Sequence, residues 1–222
     1  MQDPTTTSGS LDLQSLFDML IDGGPLMIPI ALCSVVALAY TVERMIRLSS
    51  GSLGGRGLAR TLTSRVQQDG PTGGLELCTK SRKPLTRILG AGLARRDSLE
   101  VSERAAEDAG KRELKRLAAN LRPLVVVAMI APLLGLLGTV WGMIEAFTSI
   151  ASQDGLGKPE LLAGGISQAL ITTAAGLAVA IPTQALYYYF RARLDKFARL
   201  AEDTQLELSG LLFDAGEGRQ AA

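Results

Sequence analysis

Thr139 and Thr173 carry the chemistry this chain could perform. Each lies in a long apolar run, on a row of small residues at helical spacing. In the first run Ala131, Gly135, Thr139, Gly142 and Ala146 follow one another by three or four positions. In the second, Ala169, Thr173, Gly176, Ala180 and Thr183 do the same. Such steps place a row of side chains on one helical face. A face turned to lipid would carry bulky Leu or Ile. A smooth, faintly polar stripe suits close helix packing or the wall of a pore. A threonine hydroxyl both donates and accepts hydrogen bonds, so it can solvate a carboxyl group or hold a short water chain. Against this stands a simpler role, in which each hydroxyl bonds back to a carbonyl of its own helix. Two threonines on matching stripes favour the pore-lining reading, with Gly135, Gly142, Ala169, Gly176 and Ala180 as its smooth wall. Gln168 adds an amide that cannot titrate. Thr172 faces about 100° away from Thr173 and is equally suited to meeting a neighbouring subunit.

The centre of each apolar run lacks an acid. A charge there costs on the order of 2.5–3.5 kcal/mol on insertion scales. If the chain takes part in ion conduction, the group that binds and releases the ion is expected on another subunit, and this chain is not expected to conduct efficiently alone. Glu145 lies roughly 33 Å along the helix from Pro123 at 1.5 Å per residue. It reads either as a water-facing interfacial acid or as an outer-mouth acid that gathers cations, with Asp154 and Glu160 nearby. Histidine is absent, and there is no paired intramembrane acid, metal-ligand cluster or nucleophile–base pair. An enzyme is the weakest reading, and no cofactor is expected. Cys33 and Cys78 are the only cysteines, and their settings argue against a disulfide framework.

The elements that position these residues follow from the apolar runs. The 222 residues are 47% hydrophobic, which fits a chain that is part membrane and part water-exposed. Three runs reach the roughly 20 residues a span requires. The expected order is an N-terminal segment 1–22 with a short amphipathic helix over Leu11–Ile21, transmembrane helix 1 over 23–48, and a cytoplasmic helical region over 49–122. Transmembrane helix 2 covers 123–151, a short link 152–160, transmembrane helix 3 161–190, and a cytoplasmic C-terminal helix and tail 191–222. The fold class is all-α membrane protein, with two of three spans extended into a cytoplasmic helical bundle. Leu99–Leu121 is expected to run into span two with a bend near Pro123. Asp69-Gly-Pro-Thr-Gly-Gly74 reads as a turn cluster.

Charge sets the orientation. Of 23 Lys and Arg, 17 lie between Arg44 and Arg122 and five follow Phe190, whereas residues 1–22 have none. The positive-inside rule then places the first loop and the C-terminus in the cytoplasm and the N-terminus outside. The basic loop suits water and anionic lipid. Its charges alternate with acids and no recognition motif accompanies them, so nucleic acid is not an expected partner.

Pro132-Leu-Leu-Gly-Leu-Leu-Gly-Thr-Val-Trp-Gly-Met143 and Gly164-Gly-Ile-Ser-Gln-Ala-Leu-Ile-Thr-Thr-Ala-Ala-Gly-Leu-Ala-Val-Ala-Ile-Pro182 resemble the two signature spans of the ExbB/TolQ proton-channel family, relatives of the flagellar stator MotA. The likeness extends to Gly23-Gly-Pro-Leu-Met-Ile-Pro29 and Glu43-Arg44. It implies a homopentamer in the bacterial inner membrane around single-span partners of the ExbD/TolR type, which supply an essential Asp. It also implies conversion of the proton motive force into mechanical work on the envelope, with force passed to a TonB- or TolA-like periplasm-spanning protein. Many relatives have Glu where Gln168 stands. That departure favours the alternative function, a non-conducting oligomeric membrane scaffold.

Overall fold

A computed structural model describes residues 23–95, 97–151 and 159–220. The helix expected over Leu11–Ile21 and most of the link 152–160 fall outside them. Among the described residues the chain is helical and has no strand. The helices are α1 (Met27–Arg47), α2 (Ser50–Leu53), α3 (Arg56–Lys80), α4 (Pro84–Ala94), α5 (Leu99–Ala119), α6 (Arg122–Ala151) and α7 (Pro159–Gln220). Three segments are long and apolar enough to cross a membrane: Met27–Arg47, Leu99–Ala151 and Leu162–Phe213. The all-α membrane class expected from the sequence holds.

The described residues divide into two compact units, one drawn from Met1–Leu38 and Val125–Gln184 and the other from Ala39–Leu124 and Ala185–Ala222. In the first unit one stripe of each helix is covered and the rest is apolar and open. On α1, Met27 and Ile30 are buried, whereas Ile28, Leu32 and Val35 are exposed. On α6, Ala128 and Ala131 are buried, whereas Met129, Leu133, Leu136, Val140 and Ile144 are exposed. Water would penalise so much open apolar surface by about 25 cal/mol per Å². Hydrocarbon, or other membrane helices, removes that penalty.

The second unit has a water-soluble pattern. Leu62, Leu85, Leu89 and Leu93 are buried, and charged residues occupy the outer faces. Ser98 caps α5 by accepting from Val101 N–H at 3.3 Å. The buried Ser102 hydroxyl donates to the Gly92 carbonyl at 3.0 Å, tying α5 to the end of α4. Arg87 on α4 pairs with Glu113 on α5 at 3.4 Å. Exposed pairs such as Arg65–Asp69 and Lys111–Glu107 link successive turns of one helix, where water and salt screen them.

Two details differ from the sequence reading. The turn expected over Asp69–Gly74 shrinks to one residue, Gly70, at φ 69° and ψ −171°. Glycine takes that conformation without a Cβ penalty, and Pro71 restarts the helix at once because its ring presets φ. The passage from α5 to α6 breaks at Asn120–Leu121, two residues ahead of Pro123. A proline near the start of a helix is favourable, since its missing N–H would lack a partner there anyway. The chain after span three continues without interruption, as expected, because α7 runs to Gln220.

Candidate functional site

Helices α6 and α7 meet along a seam of small residues within the first unit. Its closeness shows in what a side chain at each glycine would strike. A Cβ at Gly176 would stand 2.6 Å from the Ala131 carbonyl oxygen and 3.1 Å from Gly135 Cα. One at Gly135 would stand 3.0 Å from the Thr172 carbonyl oxygen. One at Gly142 would stand 2.8 Å from the Gly165 carbonyl oxygen and 3.2 Å from Ala169 Cβ. At Gly138 it would collide with the Thr172 side chain, and at Gly165 with Ala146 Cβ. The partners rise on α6 as they fall on α7, so the two helices run antiparallel. Backbone approaches backbone, which small residues permit.

The seam therefore follows Ala131, Gly135, Gly138, Gly142 and Ala146 on α6. On α7 it follows Gly165, Ala169, Thr172, Gly176 and Ala180. The structure brings together Gly135, Gly142, Ala169, Gly176 and Ala180, all buried. Thr139 and Thr173 stand at the flanks of the seam, half-buried. Thr172 is 1% exposed and packs against Gly138 of the same chain. The expectation that it could face a neighbouring subunit gives way to this contact. Its hydroxyl bonds to carbonyls of its own helix, Gln168 at 3.1 Å and Ala169 at 2.9 Å.

The two flanking threonines use their hydroxyls differently. Thr139 donates to Leu136 of its own helix at 2.6 Å. Thr173 donates across the seam to the Gly135 carbonyl at 3.0 Å. Gly135 and Thr139 are one turn apart on α6, about 5.4 Å of rise. Both hydroxyls thus border the same stretch of the seam. With their protons directed at carbonyls, each oxygen still offers lone pairs. The flank is an acceptor surface.

Gln168 is half-buried and lies against Gly24, at the turn before α1. Gly24 has φ 72°, a conformation that favours glycine, and any side chain there would meet the Gln168 amide. Glu145 is exposed on α6. Among the described residues no group of three His, Cys, Asp or Glu could hold a metal ion. Cys33 and Cys78 are free thiols, and burial pushes the Cys78 thiol up to about 11.

Gly138 and Thr172 form the centre of the seam. Gly138-Thr-Val-Trp-Gly142 matches the GxxxG close-packing motif, which suits packing of spans two and three or of neighbouring subunits, and within this chain it packs the two spans. The small-residue stripes ran through the neighbours Thr139 and Thr173. The signal was present: steps of four, three, four and four through Ala131, Gly135, Gly138, Gly142 and Ala146 describe a helical face equally well. Adjacent threonines at 172 and 173 left the choice of α7 face open.

Comparison with known proteins follows this geometry. Residues 80–203 match the model of the MotA/TolQ/ExbB proton channel family. The biopolymer transport protein exbB1 of Vibrio cholerae is 31% identical over 179 residues, covering 78% of each chain. An ExbB-like biopolymer transport protein of Synechocystis is 30% identical over 190 residues, 84% of this chain and 90% of its own. The Tol-Pal system protein TolQ of Pseudomonas aeruginosa is 40% identical over 95 residues, 43% of this chain and 41% of its own. The chain belongs to the MotA/TolQ/ExbB family, as a multi-pass inner-membrane subunit of the energy-transducing ExbB/TolQ kind.

Proposed function

We propose that this chain is the channel-forming subunit of a proton-driven motor, working with a single-span partner that carries a membrane-embedded Asp. The observation that carries the reading is the acceptor surface at Thr139 and Thr173, on a seam that holds no acid of its own. Five copies of the chain surround the partner helices, in keeping with the family resemblance. The open apolar faces of α1 and α6 meet lipid and neighbouring copies. The buried small residues Gly135, Gly142, Ala169, Gly176 and Ala180 stiffen the wall, and Thr139, Thr173 and Gln168 supply its polar atoms.

The chemistry follows from hydrogen-bond polarity. A protonated carboxyl group has an O–H to donate, and a carboxylate has only acceptors. Threonine oxygens whose own protons point to carbonyls therefore favour the partner's Asp in its protonated form. Release of that proton on the low-proton side removes the donor and weakens the contact, so the partner helix moves on. Proton flow becomes displacement. The N-terminus lies in the periplasm and the C-terminus in the cytoplasm, on the distribution of Lys and Arg. The work is delivered to the envelope through a TonB- or TolA-like protein. The chain has no enzymatic role.

The test is reconstitution of the chain with its partner in liposomes, and measurement of acid-driven proton uptake. The expected result is uptake that requires both proteins and falls at least tenfold when Thr139 and Thr173 are both changed to Val. A complex that assembles fully yet shows no uptake would overturn the channel reading in favour of a scaffold. Wild-type flux in the double variant would remove the threonines from the path.

A further inference from the structure

The second unit contains a cavity of about 730 Å³ with an unbalanced charge. Arg56, at the start of α3, forms one wall. Arg193, Lys196 and Arg199, on one stretch of α7, form another. Asp203 is the one acid among its lining residues. Buried Leu48 and Phe197 contribute an apolar base. Arg193 already lies 5.9 Å from the centre of the Tyr189 ring. Among the described residues, Arg56, Lys196 and Arg199 have no ion-pair partner. Four cations around one hollow repel one another, and an anion seated between them removes that repulsion. The start of α3 adds the positive end of a helix dipole to the same wall.

We propose that this cavity binds a phosphate-bearing anion, and that its natural occupant is the headgroup of an anionic phospholipid. Depth decides for the lipid. The apolar run of span three ends at Phe190. Arg193 to Arg199 lie about 5–14 Å beyond it at 1.5 Å per residue. The headgroup layer occupies roughly the first 5–8 Å outside the hydrocarbon. Arg193 thus stands at phosphate depth, while Lys196 and Arg199, about 9 and 14 Å beyond Phe190, reach toward the same hollow from its water side, where the basic residues gather. The apolar base at Leu48 and Phe197 suits the glycerol and first methylenes of a lipid. The fork of an arginine suits the phosphate itself.

The experiment uses the full chain in detergent and three probes: dioctanoyl phosphatidylglycerol, dioctanoyl phosphatidylcholine and inorganic phosphate. Native mass spectrometry reads occupancy, and thermal unfolding reads stabilisation. Saturable binding of the phosphatidylglycerol, and not of the zwitterionic lipid, is expected. Each neutralised cation should weaken it about fivefold. K196Q with R199Q should therefore weaken it about 25-fold, with an unchanged circular dichroism spectrum because both residues are exposed. R56Q, from the opposite wall, provides an independent fivefold loss should the double variant fold poorly. Tighter binding of inorganic phosphate than of the lipid would overturn the lipid as occupant. Equal binding of the charged lipid to wild type and to both variants would overturn the site.

Discussion

The hydroxyl of Thr173 reaches across the helix seam to the carbonyl of Gly135, 3.0 Å away and 38 residues distant in sequence. This bond joins the two signature spans within the stretch where backbone packs against backbone. It also orients the Thr173 oxygen, because the proton is held by the opposite helix.

Replacement of Thr173 by Ser keeps the hydroxyl, and replacement by Val keeps the shape. Thr173→Ser is expected to retain most proton uptake in liposomes that also contain the partner. Thr173→Val should lose it about tenfold or more. The stability of the two should differ by only about 1 kcal/mol, typical of one interhelical hydrogen bond. Equal uptake in the two variants would exclude the hydroxyl from transport.

The seam predicts a sharp positional contrast between glycines. Gly176→Ala puts a methyl 2.6 Å from the Ala131 carbonyl oxygen, and backbone cannot give way as a side chain can. A loss of about 1–3 kcal/mol is expected, as for overpacking elsewhere. Gly164→Ala meets nothing within 4 Å and should be neutral or slightly stabilising. Thermal unfolding in detergent compares the two, and matching melting temperatures would contradict the packing described.

At the end of α1, Arg44 is 2% exposed and shares Glu43 with Arg47, at 3.0 and 3.1 Å. Among the described residues, the Arg44 Nε and Nη1 find no hydrogen-bond partner. Glu43→Gln would leave a buried cation without its counter-charge. A destabilisation of about 3 kcal/mol is expected. Glu43→Asp should recover part of it. The check is the midpoint of denaturation in mild detergent, with full recovery by Gln counting against the pairing.

Cys78 provides a pH test in the water-soluble unit. Its thiol is pushed up to about 11 by burial, from a usual value near 9. The folded state therefore holds the proton more firmly than the unfolded state. The contribution to stability is full below about pH 9 and is lost as pH rises from there toward 11. Alkylation at pH 8 should be about a hundredfold slower in the native protein than after denaturation, as the thiolate fraction falls with the rise. Rapid native labelling would show that the thiol is not buried.

Much of this organisation was legible in the chain. Apolar runs of sufficient length announced three spans. The glycine, alanine and threonine spacing suited either close packing or a pore wall and favoured the wall, whereas Gly135, Gly142, Ala169 and Gly176 are buried where α6 meets α7. The extension of span three was readable from Leu194, Phe197, Ala201 and Leu208, all buried. The register of the seam was harder to read. Gly138 and Thr139 are adjacent, as are Thr172 and Thr173, and a helical step of three or four passes through either. Only the facing helix decides between them, and its approach is a tertiary fact. The neighbour of Gln168 was hidden for the same reason. Gly24 lies 144 positions away, and no local pattern links a turn before one helix to an amide on another.

A hairpin whose backbones touch from Ala131 to Ala146 has no slack between its two arms. It behaves as a single stave of a cask, too tightly joined to slide or twist internally. In the assembly proposed above, a stroke would then fall at the joints between one copy and the next, or between the ring and the helices it encloses.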